Sequence, residues 1–408
     1  MTVRTLAALT LLAFVVACGS DDEPAATDAG TDEEASDALD PGLNDDARRV
    51  DVSVPEPSTP RAFRMGIAVP TDGLGEEFGQ LSWQYAAAHG DAIAIRLDGG
   101  LPWAEILEED AALPAEYEAF LADLADRVGG TQKDLLLIVD PFDANRTGFA
   151  PDALGREPVT AGLTFEDRGL RAGYEAFCED LALRFQPKYF VPFPDINVYG
   201  ANRGDEFDAL REHYEELRQT VKFASGQTLV FPTWDFVQLS QAIRSGNQLE
   251  LGWIGELDEA GDFFAVDFRP ALEGEAAADL SAAPFTDLDR RELSSVTTRK
   301  LLIIDAGYPA AGVVQNGEVF ASSENSQFNY LAFLLGLGDS LDLELIVWSA
   351  AVDPDRWLLD PCAGEECDLD RLEERYGELR RHGLLDSDGS QRAATPLWEQ
   401  FAERSWVP

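Results

Sequence analysis

A chain of 408 residues with 45% hydrophobic content carries enough apolar material for one large globular domain or two small ones. Its formal net charge of −45 excludes nucleic acid and other polyanions as partners, because holding those takes a basic surface that displaces counterions. Neutral ligands stay open.

Arg4 precedes an apolar run from Leu6 to Val16, and Val15-Val16-Ala17-Cys18 closes it. A positive start, a short apolar stretch and a small residue before the cut make residues 1–17 an export signal ending at a lipobox. The run is shorter than the roughly 20 apolar residues that span a bilayer. Cys18 is thus expected to become an acylated N-terminus, and more than one acyl chain is needed for stable anchoring. The expectation is an exported bacterial lipoprotein, tethered to a membrane of the cell envelope or surface. Residues 18–60 are rich in Asp, Glu, Ala, Thr, Ser and Pro and nearly free of large apolar side chains. Such a segment cannot bury enough surface to offset its ordering entropy, so it reads as a disordered acidic tether, with an acidic docking segment as the alternative.

Residues 61–408 read as one domain. Short runs rich in branched and aromatic residues recur at Phe63 to Val69, Ala92 to Leu97, Leu135 to Val139, Tyr189 to Phe193, Leu229 to Phe231, Phe263 to Phe268, Leu301 to Ile304 and Leu343 to Trp348. Amphipathic segments separate them. Phe207, Leu210, Tyr214, Leu217 and Val221 share one helix face, and a second amphipathic segment runs through Phe328, Leu331, Phe333, Leu334 and Leu337. Eight buried strands alternating with helices predict a closed (β/α)8 TIM barrel of the α/β class, with an open doubly wound sheet as runner-up. Val69-Pro70-Thr71-Asp72-Gly73 stands after the first strand where a dinucleotide-binding fold would place GxGxxG. No cofactor is called for. The long connections from Phe142 to Thr164 and from Ala271 to Leu293 are expected to shape a cleft.

Cys362 and Cys367, with four residues between them in an oxidising location, are expected to pair, while Cys178 falls on an apolar helix stripe as a buried thiol. His89, His213 and His382 are scattered and offer no metal or nucleophile pairing, and His213 is expected to be solvated. Asp386, Asp388 and Gly389 lack the further ligands of a calcium loop and read as an ordinary turn.

A barrel of this kind does its chemistry just past its strand ends. Those positions hold Asp98 and Trp103, Asp140 and Asp143, Asp195, Trp234 and Asp235, Asp267 and Arg269, Asp305 and Tyr308, and Trp348. Carboxylates that accept hydrogen bonds from hydroxyls, and aromatic faces that pack on the CH side of a pyranose, suit neutral sugars. Asp98, Trp103, Trp234, Asp267, Tyr308 and Trp348 are therefore the candidate substrate contacts.

Phe193-Pro194-Asp195-Ile196-Asn197-Val198-Tyr199 resembles the strand-four segment of the retaining (β/α)8 glycoside hydrolases, closest to the endo-β-1,4-galactanase type. Ile304-Asp305-Ala306-Gly307-Tyr308-Pro309 is similar to that group's strand-seven segment, and the likeness continues through Ala265 to Pro270, Trp348 and Gly383 to Gly389 ahead of Trp398. The resemblance implies that Asp195 stands where the acid/base glutamate would be, Asp305 where the nucleophile would be, and Pro194 in place of an asparagine. Retention needs carboxyl groups roughly 5 to 5.5 Å apart. Shortening each side chain by one C–C bond of about 1.5 Å widens that gap to roughly 7 or 8 Å on an unchanged backbone, inside the roughly 6.5 to 9.5 Å range of inverting enzymes. The leading expectation is a barrel that binds neutral polysaccharide or oligosaccharide with catalysis weakened or lost. The alternatives are an active glycoside hydrolase working through Asp195 and Asp305, and an envelope scaffold for protein contacts.

Replacing Cys18 by Ser removes the acyl acceptor. Cells expressing that variant should incorporate no labelled palmitate into the protein, and the chain should leave the detergent phase on Triton X-114 partitioning. Undiminished labelling would refute the anchor.

Overall fold

The computed structural model describes residues 48–52, 56–71, 76–108, 111–269, 295, 297–315, 318–341, 343–359 and 377–407. Cys18, most of the acidic segment, the 271–293 connection, Cys362 and Cys367 lie outside them. No helix among the described residues is long and apolar enough to cross a membrane.

All eight strand stretches form. They are β1 (Arg64–Ala68), β2 (Ala92–Leu97), β3 (Asp134–Val139), β4 (Tyr189–Val191), β5 (Leu229–Val230) with β6 (Thr233–Asp235), β7 (Phe264–Phe268), β8 (Leu301–Ala306) and, after a short hairpin of β9 (Val313–Gln315) and β10 (Glu318–Phe320), β11 (Leu343–Trp348). Apart from the hairpin, every pairing between these strands is parallel, in the order β5-β4-β3-β2-β1-β11-β8-β7-β6. The two ends of that ladder, β5 and β6, are halves of one stretch of chain interrupted at Phe231-Pro232, where proline has no N–H to give. Phe231 N–H still donates to the Phe190 carbonyl at 3.2 Å and Thr233 N–H to that of Phe193 at 3.1 Å. The sheet therefore closes on itself as a (β/α)8 barrel, and the open doubly wound alternative falls away.

Side-chain parity sorts each strand between two cores. Ala92, Ala94, Leu136, Ile138, Tyr189, Val191, Leu302, Leu345 and Val347 fill the barrel interior. Their neighbours Ile93, Ile95, Leu135, Leu137, Phe190, Ile303 and Ile346 face the helices. Burial on both sides explains why the strands are nearly all apolar rather than alternating with polar residues. Helix Phe207–Ala224 buries the predicted stripe Phe207, Leu210, Tyr214, Leu217 and Val221, and helix Glu324–Ser340 buries Phe328, Leu331, Leu334 and Leu337. Cys178 lies buried and unoxidised in helix Arg168–Phe185.

Two expectations are corrected. His213 is not solvated: it is fully buried, its ring 5.9 Å from that of Phe165 and 5.8 Å from that of Phe193. The acidic segment does not stay free up to residue 60. Asn329 accepts a hydrogen bond from Val50 N–H and donates one to the Arg48 carbonyl, each at 2.8 Å, and the Arg49 guanidinium lies 3.7 Å from the centre of the Phe328 ring. The Thr59 and Pro60 carbonyls are likewise held by Arg404. The Asp386–Ser390 segment is the expected turn, with Ser390 N–H donating to both Asp386 and Asp388 carboxyls.

Glycine lets helix Arg168–Phe185 approach the short helix Trp103–Ile106. A Cβ on Gly173 would lie 2.9 Å from the Ile106 carbonyl carbon and press on its oxygen, a backbone group that cannot turn aside. Ala at position 173 would gain about 1 kcal/mol of helix propensity but incur an overpacking cost of about 1–3 kcal/mol or more. Gly173→Ala should therefore lower stability, measured by urea unfolding, and an unchanged or raised midpoint would show that the two helices can separate freely.

Candidate functional site

The cleft at the C-terminal end of the barrel strands has a volume of about 790 Å³. Its floor is charged. Seven aspartates (98, 140, 152, 195, 235, 267 and 305) and three arginines (96, 146 and 269) stand among its lining residues.

Parity puts most of these side chains there. Arg96 continues the inward series Ala92, Ala94 along β2, and Asp140 follows Leu136 and Ile138 from β3. Asp235 and Asp267 are register partners on β6 and β7, one step past Trp234 and Val266, which face the helices. Asp305 should by the same count point outward, since Leu302 and Ile304 point in. A register shift on β8 pairs Val266 with Ile303 but Asp267 with Asp305. This one-residue bulge re-aims Asp305 into the cleft.

Arg96 is the hub. Its Nη2 lies 3.2 Å from Asp267 Oδ2 and 3.9 Å from Asp195 Oδ2, and its Nη1 lies 3.4 Å from Asp305 Oδ2. Arg146 forms a second bridge, with Nη1 at 2.8 and 2.9 Å from the two Asp140 oxygens and Nη2 at 2.7 Å from Asp195 Oδ2. Arg269 Nη2 lies 3.4 Å from Asp305 Oδ2. Both positions expected to carry catalysis, Asp195 and Asp305, are thus ion-paired, and Arg96 stands in contact with each.

The Asp195–Arg146 pair is held by its backbone as well. Asp195 and Arg146 both adopt left-handed φ values, 47° and 54°, which non-glycine residues rarely occupy. Asp195 N–H donates to Thr233 Oγ1 at 3.0 Å, and Asn202 Nδ2 fastens the Asn145 and Arg146 carbonyls at 3.0 and 3.2 Å. Asp195 precedes helix Ile196–Asn202 but makes no side-chain cap, so capping does not explain it. Asp235 does cap its helix, accepting from Gln238 N–H at 2.7 Å.

Protonation follows from this arrangement. Burial pushes the Asp195 carboxyl up, but the Arg146 and Arg96 guanidiniums, with a hydrogen bond from Asp267, overcome it and hold Asp195 well below the usual carboxylate range. Burial and the neighbouring Asp195 charge lift Asp267 well above that range, against Arg96. Burial also raises Asp140, opposed by Arg146 and Arg96. Of the Asp195–Asp267 pair, Asp267 is therefore the member that favours the proton. Burial drives His213 and His382 down to about 3, leaving both imidazoles neutral.

Of the predicted substrate contacts, Asp98 and Asp267 line the cleft, and the four aromatics do not. Trp103, Trp234, Tyr308 and Trp348 are at most 2% exposed. Trp103 Nε1 donates to the Ala150 carbonyl and Trp348 Nε1 to that of His382, both at 2.8 Å. Trp234 lies parallel to Phe264 with ring centres 5.8 Å apart, and Tyr308 lies against Tyr330 at 5.5 Å. Outward parity makes Trp234 and Trp348 packing residues under the helices. The aromatic surface the cleft does offer is Phe78 and Phe142. Arg96 and Arg146 are the functional candidates that the strand-end positions did not name, although the inward series on β2 marks Arg96; Asp140, named there, joins them in the cleft.

Gly307 borders the cleft floor for a steric reason. A Cβ there would meet Ser349 Oγ and lie 3.0 Å from His382 Nδ1.

No known family model matches this sequence, and none of the curated proteins matches it. Solved structures do match in fold. A GH5_18 protein from Streptomyces cattleya, in complex with GlcNAc, superposes with a TM-score of 0.55 at 15% identity, over 86% of this chain and 83% of that one. The GH53 catalytic domain from Ignisphaera aggregans gives 0.54 at 16% identity, over 86% and 99%. A structure of two fungal β-1,4-galactanases gives 0.51 at 14% identity, over 83% and 94%. At the level of the fold, the likeness to glycoside hydrolase barrels and to galactanases among them holds.

The Asp195–Asp267 pair sets a pH dependence. An acid whose native pKa is raised binds more protons folded than unfolded, so its contribution to stability falls as pH rises between the unfolded and folded values. Asp267→Asn removes that dependence while keeping a donor toward Asp195. Relative to the parent chain, the variant should gain stability from pH 4 to pH 8 by at most about 1.4 kcal/mol per pH unit. Urea unfolding at the two pH values checks this, and a variant that loses ground with rising pH contradicts the proton's placement.

Proposed function

We propose that this chain is an envelope lipoprotein, anchored through Cys18, whose glycoside-hydrolase-like barrel binds neutral oligosaccharide or polysaccharide and has lost retaining hydrolysis. One observation carries the second half of that reading, the 2.7 Å ion pair between Arg146 Nη2 and Asp195 Oδ2. A general acid must hold a proton to give to the leaving oxygen. Asp195 is kept ionised by two guanidiniums and has none to give. Asp305, at the nucleophile position, points an oxygen at both Arg96 and Arg269 rather than presenting it unpaired to an anomeric carbon.

Binding is supported by the place and chemistry of the cleft. It lies where barrels of this class hold their ligands, and its polar groups are of the kinds that exchange hydrogen bonds with hydroxyls. Its aspartates outnumber its arginines even with Asp267 neutral, which repels uronate-bearing chains and leaves neutral sugars acceptable. The Streptomyces cattleya neighbour holds GlcNAc, and a variant of it holds Manb1-4GlcNAc.

A second reading rests on Asp267. Burial and the Asp195 charge favour its protonated form, and it touches Asp195, so it is the group able to act as acid in a hydrolase of altered geometry.

The full chain in detergent should be retarded in affinity gels containing galactan, glucan or mannan and not in gels containing polygalacturonate, and should release no reducing sugar between pH 4 and pH 8. Absence of retardation by every neutral polymer would sink the binding proposal. Release of product that Asp267→Asn abolishes would replace it with the second reading.

A further inference from the structure

Away from the cleft, on the outer helical layer, a buried histidine has been left without a partner. His213 is 0% exposed, and neither Nδ1 nor Nε2 has a hydrogen-bonding partner among the described residues. Leaving such a group unsatisfied costs about 1–3 kcal/mol, so a fold that retains it either spends that stability or satisfies the nitrogen with something else. What faces it is acidic. A nitrogen of His213 and one carboxylate oxygen each from Glu175 and Glu216 all lie within 4.8 Å of one another. His213 and Glu216 are one turn apart on helix Phe207–Ala224, and Glu175 comes from helix Arg168–Phe185, so the three donors straddle the seam between two packed helices.

We propose that Glu175, His213 and Glu216 form a divalent transition-metal site, of the zinc type, that clamps these two helices together. The donor set decides the class of ion. One imidazole with two carboxylates suits zinc and its first-row neighbours, whereas calcium and magnesium take oxygen donors alone. Donors at about 2.0–2.2 Å from one ion stand roughly 3.4 Å apart in a tetrahedron. The glutamates must draw in from their present spacing, which long side chains at a surface allow.

The three ligands divide the work. His213 is fixed in the interior by Phe165, Tyr174 and Phe193. Glu175 is half-buried and oriented by the Thr220 hydroxyl, which donates to its Oε1, the kind of outer support that metal-binding carboxylates use. Glu216 is exposed and supplies the entry path, with water completing the coordination. Arg171, one turn before Glu175, is the cation that acts on His213. Spacing in the sequence does not reveal the site because its third donor lies 38 residues upstream of the histidine, on another helix.

The test titrates Co²⁺, then Zn²⁺, into the EDTA-treated full chain in detergent. One equivalent of Co²⁺ should produce visible d–d absorption of the intensity expected for four- or five-coordinate cobalt bound by nitrogen and oxygen. Zn²⁺ should displace it and raise the melting temperature. Glu216→Gln, at an exposed position that folding does not need, should weaken binding by roughly tenfold or more, and His213→Gln should abolish the cobalt spectrum. Glu212→Gln, on the exposed side of the same helix, should bind as the parent does. The proposal is overturned if no stoichiometric spectrum develops, if Glu216→Gln binds as tightly as the parent chain, or if Ca²⁺ and Mg²⁺ stabilise the protein as well as Zn²⁺.

Discussion

Everything at the mouth of this barrel depends on how three guanidiniums share too many carboxylates. Strand ends bring Asp140, Asp195, Asp267 and Asp305 into one small, poorly hydrated space, where their mutual repulsion would be severe. Arg96 meets three of them and Arg146 joins Asp140 to Asp195. The charge that remains, together with burial, raises the proton affinity of Asp267. Packing and electrostatics are the same problem here: the barrel holds its acidic ring with arginines inside it, and those arginines pair with one oxygen each of Asp195 and Asp305. Buried ion pairs of this kind are weak sources of net stability, since desolvation consumes much of their attraction. They are strong determinants of geometry, because breaking one member strands the other.

The fold was almost fully legible from the sequence, and for a simple reason. Eight apolar runs separated by amphipathic stretches leave few other ways to bury both faces of a parallel sheet. The site was legible in part. Asp98, Asp195, Asp267 and Asp305 were found by asking which residues follow each strand, and all four reach the cleft. The same question misplaced Trp234 and Trp348, because being near a strand end does not say which way a side chain points. Alternation does, and it assigns both tryptophans to the helix-facing core. It also marks Arg96, a charge at an inward position of β2, as an unusual residue to explain. Arg146 had no such signal. It sits in a long loop, and only the path of that loop, fastened by Asn202 and bent through a left-handed residue, carries it to Asp195.

Histidines teach the complementary lesson. A single histidine on a helix face carries no partner information, so His213 reads as solvated when taken alone. In the fold it is walled by aromatic rings on one side and approached by glutamates from two helices on the other. Tertiary structure, not local spacing, decides whether such a residue is inert.

The bulge that pairs Asp267 with Asp305 also bears on how such a barrel changes over evolutionary time. One residue on β8 decides whether a carboxylate belongs to the mouth of the barrel or to the oily layer behind it. Deleting that residue would swap the faces of everything downstream on the strand without altering a single amino-acid type. Barrels of this architecture can therefore acquire or discard a reactive group by a change in length, a route that comparisons confined to matched columns of residues would score as a gap and pass over.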